Sequence, residues 1–429
     1  MFGFFASQEK KMRHNAANWI ELAEKVWNFR RDRLNEKESA DLLGRTEDLR
    51  KQLKARADAA RLKLGIEALE GVLRRTGGAM YPKTSLVENV EFFLVAAIVI
   101  LGIRTYFVQP FKIPTNSMWP TYHGMTPEVF QTPAAEPSTA VEAVRMAAFG
   151  AWPHRLDAPA DGEILIPVGG ESRGIVHYRV VPGRTWLVLP TQLREYTLLV
   201  GDRPVTTRVP LDFDFDWAIY DAFFAEGRGA YSGSKLLAAM EERIRSGQVV
   251  ERIVNGERLH CIRTGKRVAR GERVLSFDEL TGDQLFVDRM SYHFVRPKVG
   301  SGIVFRTGNI PEIARQYGDQ YYIKRLAGVP GDDLEIKGPA LIRNGQPIAG
   351  SSAFAANAER AGKYTGYVAS GLLAPGHTVH VPEKNYFALG DNSSNSQDGR
   401  YWGFVPAKDA IGRPLMVYFP FTSRWGPAR

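Results

Sequence analysis

Cysteine is almost missing from this chain. One residue in 429, Cys261, rules out an intrachain disulfide and any cysteine metal cluster, and it reads as a small, partly buried apolar side chain. Long apolar runs are equally scarce. The mean hydropathy of −0.24, with a single strongly apolar stretch, excludes a protein that crosses a membrane many times. Acidic charge falls short of basic charge, 47 residues against 56, giving a net +9. That excess would suit nucleic acid or anionic lipid. Zinc-finger spacing, a helix-turn-helix signature and an aromatic-basic box are all absent, so the implied partner is an anionic membrane and not nucleic acid. The 8 histidines fall in no recognisable triad segment, and no Gly-x-Ser-x-Gly elbow surrounds Ser117. Met1–Phe5 is not followed by an apolar core region, so a cleavable leader is not expected there.

What is present divides the chain. Residues 1–85 are rich in Lys, Arg, Glu and Ala and read as a cytoplasmic helical region. Trp19, Leu22, Ala23, Val26 and Trp27 share one helical face, with Arg30, Arg31 and Arg33 behind it. That stripe suits either an anionic membrane interface or a packed helical hairpin. Leu42, Leu49, Leu53, Ala57, Ala60 and Leu64 approximate a coiled-coil seam, too short to imply an oligomer. Residues 86–109 contain the apolar run Phe92–Ile103, extended by Arg104–Val108, which approaches the roughly 20 residues a spanning helix needs. Arg74, Arg75 and Lys83 precede it, placing the N-terminus in the cytoplasm and everything after residue 108 outside. Residues 123–135, rich in Pro and Thr, read as loop. Residues 136–280 alternate helical patterns (near Ala140–Phe149 and Ser234–Arg245) with strand-like runs (Glu163–Val168, Thr185–Leu189, Leu198–Val200). From Asp283 onward, short β-runs are separated by Gly and Pro, with a hairpin signal at Arg343-Asn344-Gly345-Gln346.

Three segments carry chemistry. Ile113-Pro114-Thr115-Asn116-Ser117-Met118-Trp119-Pro120-Thr121-Tyr122 places a serine just beyond the apolar run, at most about 30 Å of chain from Val108. Tyr322-Ile323-Lys324-Arg325 places a lysine on a β-run, flanked by an aromatic and a β-branched residue. Gly390-Asp391-Asn392-Ser393-Ser394-Asn395-Ser396-Gln397-Asp398-Gly399-Arg400 follows. A serine hydroxyl needs a base to accept its proton, and a lysine serves only when burial depresses its ordinary value of about 10.4. Other motifs are weaker. Gly227–Lys235 lacks the order of a phosphate loop, and His377 and His380 sit in a β-region without metal-site spacing. Asp212, Asp214 and Asp216 alternate with Phe213 and Phe215, as on a strand edge.

Together the three segments resemble the boxes of type I signal peptidases (leader peptidases), membrane-bound serine proteases with a Ser-Lys dyad. The resemblance covers about 90–122 and 281–420. It implies a mainly β, antiparallel-sheet catalytic domain (110–122 and 281–429) after one transmembrane helix. The helical N-terminal region and a large mixed α/β insertion (123–280) fall outside it. It assigns Ser117 as nucleophile, Lys324 as general base, Thr115 as an oxyanion-hole hydroxyl and Ser396 as the serine bonded to the lysine amine. Asp391 and Arg400 brace the site, and Ile113, Met118, Tyr122, Tyr322 and Ile323 line the substrate pocket. No cofactor is implied. The implied substrates are preproteins cut after Ala-x-Ala-like sites, with anionic lipid and the translocation machinery as partners. Ser393-Ser394 stands where many members have Arg-Asp, which puts part of the bracing in doubt. Two rivals are a self-cleaving repressor-type Ser-Lys protease, which would need a DNA-binding head, and a membrane-anchored scaffold acting through the insertion and N-terminal helices.

Overall fold

The computed structural model describes residues 8–169, 175–185, 189–224 and 233–428. Met1–Phe5, residues 227–232 of the glycine-rich segment and the centre of the 185–189 run lie outside the described residues. Two compact units form, Met1–Leu101 and Gly102–Arg429.

In the first unit, helices Gln8–Arg30, Glu36–Lys54 and Ala59–Thr76 pack as a bundle. Their starts are written locally. Asn35 Oδ1 accepts the Glu38 N–H at 2.8 Å while the Glu38 carboxylate accepts the Asn35 N–H at 3.0 Å, and Asp58 caps the third helix through the Arg61 N–H. Ala23 and Val26 are buried with Leu42, Leu49, Ile66 and Leu73, and Trp19 meets Tyr81 edge-on. The tryptophan stripe is therefore a bundle face and not a membrane-interface face. The coiled-coil seam also fails: the chain turns between residues 54 and 59, leaving Ala60 and Leu64 exposed. The next helix, Ser85–Tyr106, has 22 residues and mean hydropathy 2.2 with no residue of its apolar window buried. At 1.5 Å per residue it is about 33 Å long, enough by length and composition to cross a bilayer.

The second unit is mainly β and antiparallel. Its principal sheet runs in the order Val108–Lys112, Gln284–Asp288, Ala410–Phe419, Gly302–Arg306, Tyr321–Gly328, Asn385–Leu389, Val405–Pro406, with Gly426–Pro427 added beside Ala410–Phe419. The Tyr321–Gly328 strand is central, so both of its edges are paired, and it is buried from Lys324 onward. The expected hairpin at Asn344-Gly345 forms, with both residues at the positive φ that such a turn requires. His380 Nδ1 lies 2.8 Å from Asp333 Oδ1, the contact that ring makes in place of a metal pair with His377.

Between residues 123 and 280 the chain is mixed α/β. A three-stranded sheet pairs Arg273–Leu280 with Thr126–Val129 and Ala151–Asp157. A second sheet is built on Gly162–Val168, Leu189–Val200 and Glu257–Val268. Helices Phe215–Phe223 and Gly233–Arg245 contribute to a common core with Ile164, Tyr196, Ile262 and Phe277. Two expectations are corrected here. The Pro/Thr-rich 123–135 stretch is not all loop, because Thr126–Val129 finds a partner strand 144 or more residues away, a pairing its composition does not disclose. Asp212–Asp216 is not a strand edge. Phe213 and Phe215 are fully buried, and Asp216 opens a helix while its carboxylate accepts the Ile175 and Val176 N–H groups.

Candidate active site

The serine is held by a loop closed at its base. Met125 N–H donates to Pro114 O at 3.1 Å. Asn116 ties both sides, its Nδ2 donating to Met125 O (2.9 Å) and its Oδ1 accepting the Gly124 N–H (3.0 Å). Gly124 is required by close approach, since a Cβ there would meet the Thr115 carbonyl carbon at 2.3 Å. The tip is a single 3-10 turn, Asn116–Met118, that carries Ser117. Met118 plugs the turn into an apolar cluster with Ile113, Tyr122, Leu285, Val304 and Val417.

Lys324 lies on the central strand opposite Ile303. Although 207 residues separate the two, Lys324 Nζ is hydrogen-bonded to Ser117 Oγ at 2.5 Å. Only 4% of Lys324 is exposed, and burial pushes its pKa from the ordinary 10.5 down to about 8. The Asp398 and Asp391 carboxylates oppose this shift and Arg400 adds to it. Tyr322 lies two residues earlier on the strand, with its ring centroid 5.6 Å from Nζ. An amine with that value is substantially neutral in mildly alkaline water, and its lone pair can then accept a proton.

Asp391 and Arg400 do not pair with each other. Arg325 holds Asp391 with two bonds, 2.7 and 2.6 Å, and also donates to Gly300 O; Thr121 Oγ1 donates to the same carboxylate. Arg400 holds Asp398 with bonds of 2.8 Å and donates to Ser393 O and Val368 O. Asn392 N–H donates to Ser117 O (3.1 Å), and its side chain donates to Asn116 O (3.0 Å). Arg325, Asp398, Asn392, Asn116 and Gly124 were all overlooked as site residues. Four of them lie inside the three quoted segments, but only the fold reveals their partners. Ser393 is no gap in the bracing, since its Oγ accepts the Val368 N–H at 2.9 Å.

Other expectations are met only in part. Ser396 is buried at the site, yet its Oγ makes no hydrogen bond among the described residues, so the bond to the lysine amine is not formed. Nζ is turned onto Ser117 instead. Thr115 is exposed at the start of the turn, and its hydroxyl makes no bond to the turn's backbone. Of the expected pocket residues, Ile113, Met118 and Tyr122 are buried in the cluster beneath the loop, with Ile323 partly buried against it. Tyr322 packs on the sheet's other cluster, near Phe305. A surface pocket is thus not what the first three line, because anchoring the serine turn requires their apolar side chains inside.

Gly390 is packed closely against the pair. A Cβ there would stand 2.2 Å from Ser396 Oγ and 2.5 Å from Ser117 O. Gly390→Ala is expected to displace the Ser117 turn and lower kcat by at least about 10²-fold, because misplacement of a reacting group by about 1 Å costs that much. Peptide-cleavage kinetics beside a thermal melt would separate this from simple loss of fold.

Residues 276–419 match the family described as "Signal peptidase, peptidase S26". A probable signal peptidase I-1 of Synechocystis sp. (strain ATCC 27184 / PCC 6803 / Kazusa) is 34% identical over 145 residues, which is 34% of this chain and 66% of that protein. A signal peptidase I of Bacillus licheniformis is 34% identical over 141 residues, 33% of this chain and 69% of its own length. A crystal structure of a signal peptidase I from Enterococcus faecalis V583 aligns with 27% identity over 28% of this chain and 97% of that one. Its TM-score is 0.21, too low to bear on the arrangement of the unit. The chain belongs to the signal peptidase I family. It spans 66%, 61% and 56% of the lengths of three cyanobacterial relatives.

Proposed function

We propose that this chain is a membrane-bound endopeptidase that removes N-terminal signal peptides from exported preproteins, with Ser117 as nucleophile and Lys324 as general base. The observation that carries it is the 2.5 Å contact between Lys324 Nζ and Ser117 Oγ in a buried setting. Neutral Nζ takes the hydroxyl proton as Oγ attacks the scissile carbonyl carbon. The oxyanion forms against the Ser117 N–H and the Thr115 hydroxyl, and two fixed donors are what that charge needs. The ammonium then returns its proton to the departing amine as the C–N bond breaks. Water, activated by the same amine, hydrolyses the ester. Ser396 stands beside the dyad with a free hydroxyl that steadies the amine as it swings between Ser117 and the leaving group. Asp391 and Arg400 hold the surrounding backbone through Arg325 and Asp398.

In this reading residues 110–122 and 281–429 form the catalytic domain outside the membrane. Ser85–Tyr106 is the anchor, and residues 1–85 lie in the cytoplasm. Anionic lipid and the translocation machinery are the expected neighbours, and substrates are cut after small residues. A scaffold role is disfavoured by the same dyad, because an isolated buried lysine beside a serine is costly to keep and has no structural purpose. The test is incubation of the detergent-solubilised chain with a preprotein bearing an Ala-x-Ala site, reading the new N-terminus by mass spectrometry. Wild type should cut after the second alanine and Ser117→Ala should not; equal cutting by both would end the proposal.

The pH profile provides a second test. The reactive form of Lys324 is the neutral amine, so kcat/KM should rise tenfold per pH unit below about 8 and level off above it. Stability follows the same sign. Between about 8 and 10.5 the unfolded chain binds a proton that the folded chain does not, so folding strengthens as pH rises through that window. An activity profile flat from pH 6 to 9 would exclude a lysine base.

A further inference from the structure

The nucleophile turn is gripped by a residue outside it. Asn392, 5% exposed, donates through Nδ2 to Asn116 O at 3.0 Å and through its backbone N–H to Ser117 O at 3.1 Å. A carbonyl oxygen only accepts, so the amide nitrogen is the atom that faces Asn116 O. Asn392 Oδ1 turns the other way, where Ser394 Oγ lies at 3.5 Å. Asn116 O also accepts the Trp119 N–H at 3.1 Å, the bond that closes the turn. Both lone pairs of that carbonyl are thereby engaged.

Asn116 O and the Ser117 N–H belong to one peptide unit. That unit is trans and planar, so its C=O and N–H point in opposite directions. Two donors fixed on the carbonyl side therefore set where the N–H on the far side aims. Hydrogen bonds in a chain also polarise the groups they run through, which makes that N–H a stronger donor. It is the second N–H of the turn, a position with no partner inside the turn, and it makes no hydrogen bond among the described residues. The same arrangement recurs one step back. Asn357, fully buried on the Ser352–Glu359 helix, donates through Nδ2 to Asp391 O at 3.2 Å. The N–H of that second peptide unit is the Asn392 N–H that bonds Ser117 O. The grip on the turn is thus anchored in the protein interior.

We propose that Asn392 is a positioning residue for the oxyanion: by holding Asn116 O, it aims the Ser117 N–H at the oxygen that becomes negative as Oγ adds to the scissile carbonyl. This rests on the proposed peptidase activity. Asn392 acts through the peptide plane and not on the proton carrier. The groups that set the titration of Lys324 are its own burial and the Asp398, Asp391 and Arg400 charges, none of which the Asn392 amide replaces. Its loss should therefore weaken the stabilisation of charge in the transition state and leave the base as it is.

The test compares the full wild-type chain with Asn392→Leu and Asn392→Ala, each checked by a thermal melt. Both variants lack the amide donor and keep the backbone N–H, and they differ in packing, so a loss common to the two belongs to the amide. kcat for a preprotein with an Ala-x-Ala site should fall about 10–100-fold. That is less than the roughly 10²–10³-fold for deleting an oxyanion donor, because the donor stays and loses only its aim. KM should stay within about twofold of wild type, and the rise of kcat/KM with pH should keep its midpoint near 8. A peptide aldehyde ending at the cleavage position gives a second readout. Ser117 Oγ bonds to the aldehyde carbon, the C=O electron pair moves onto oxygen, and the serine proton passes to Lys324 Nζ, so the adduct carries the oxyanion. The matched peptide alcohol forms no adduct. The ratio of aldehyde to alcohol affinity should drop in the variants by the same factor as kcat. Folded variants that keep the wild-type kcat and ratio overturn the assignment, as does a loss that falls on KM and on the alcohol alike. Wild type that neither cuts the preprotein nor binds the aldehyde above the alcohol overturns the peptidase reading and this assignment together.

Discussion

Lys324→Ala is expected to reduce kcat/KM for preprotein cleavage by at least about 10³-fold while leaving the chain folded. Position-held proton transfer contributes about 10²–10⁴-fold, and in the proposed mechanism the same amine serves both the attack and the leaving group. No second base stands ready, because Nζ is the side-chain group bonded to Ser117 Oγ among the described residues. The fold should tolerate the change. A buried amine whose pKa has fallen to about 8 is held against its preference for water, so its removal relieves desolvation even as it leaves a small cavity. Cleavage kinetics and a thermal melt on the same preparation decide this. Near-wild-type rates from a folded Lys324→Ala protein would remove the lysine from the mechanism, whatever the fate of Ser117.

Arg325→Leu has the largest expected effect on stability. Arg325 and Asp391 are each 1% exposed and joined by two short bonds, so losing the guanidinium leaves a carboxylate buried without its counter-ion. Breaking such a pair from one side costs about 3–5 kcal/mol. The second unit's melting transition should fall by roughly 4–7 °C, given about 2.1 cal/mol/K of unfolding entropy per residue. Activity should fall with it, since Asp391 also accepts from Thr121 on the nucleophile loop. The double variant Arg325→Leu, Asp391→Leu should recover much of the lost stability, because it strands neither charge. Recovery of stability without recovery of activity would mark the pair as a device for positioning the loop. A single variant as stable as wild type would mean water reaches the carboxylate.

Much of the candidate site was legible in sequence because it is written in short segments. Ser117 and Lys324 sit in boxes whose content is distinctive, and the apolar run Phe92–Ile103 and the Asn344-Gly345 hairpin are local signals as well. What sequence did not disclose depends on long-range partners. Arg325 lies within the quoted boxes, but nothing local says that it neutralises Asp391 of another segment, 66 residues away. Ile113, Met118 and Tyr122 are apolar for anchoring the turn from beneath, and residue type alone does not separate a pocket wall from a core. The N-terminal stripe was ambiguous for the same reason, since a face that suits a lipid surface suits two neighbouring helices equally well.

Thr126 and Leu280 are paired neighbours across adjacent strands, so the 153 residues between them begin and end at one spot. The loop that carries Ser117 is closed just before that spot, by Pro114 and Met125. The intervening segment is thus grafted at a single stem, outside the clasp that fixes the serine. A change of length within it therefore need not move the nucleophile loop, because the clasp that closes that loop lies outside the graft.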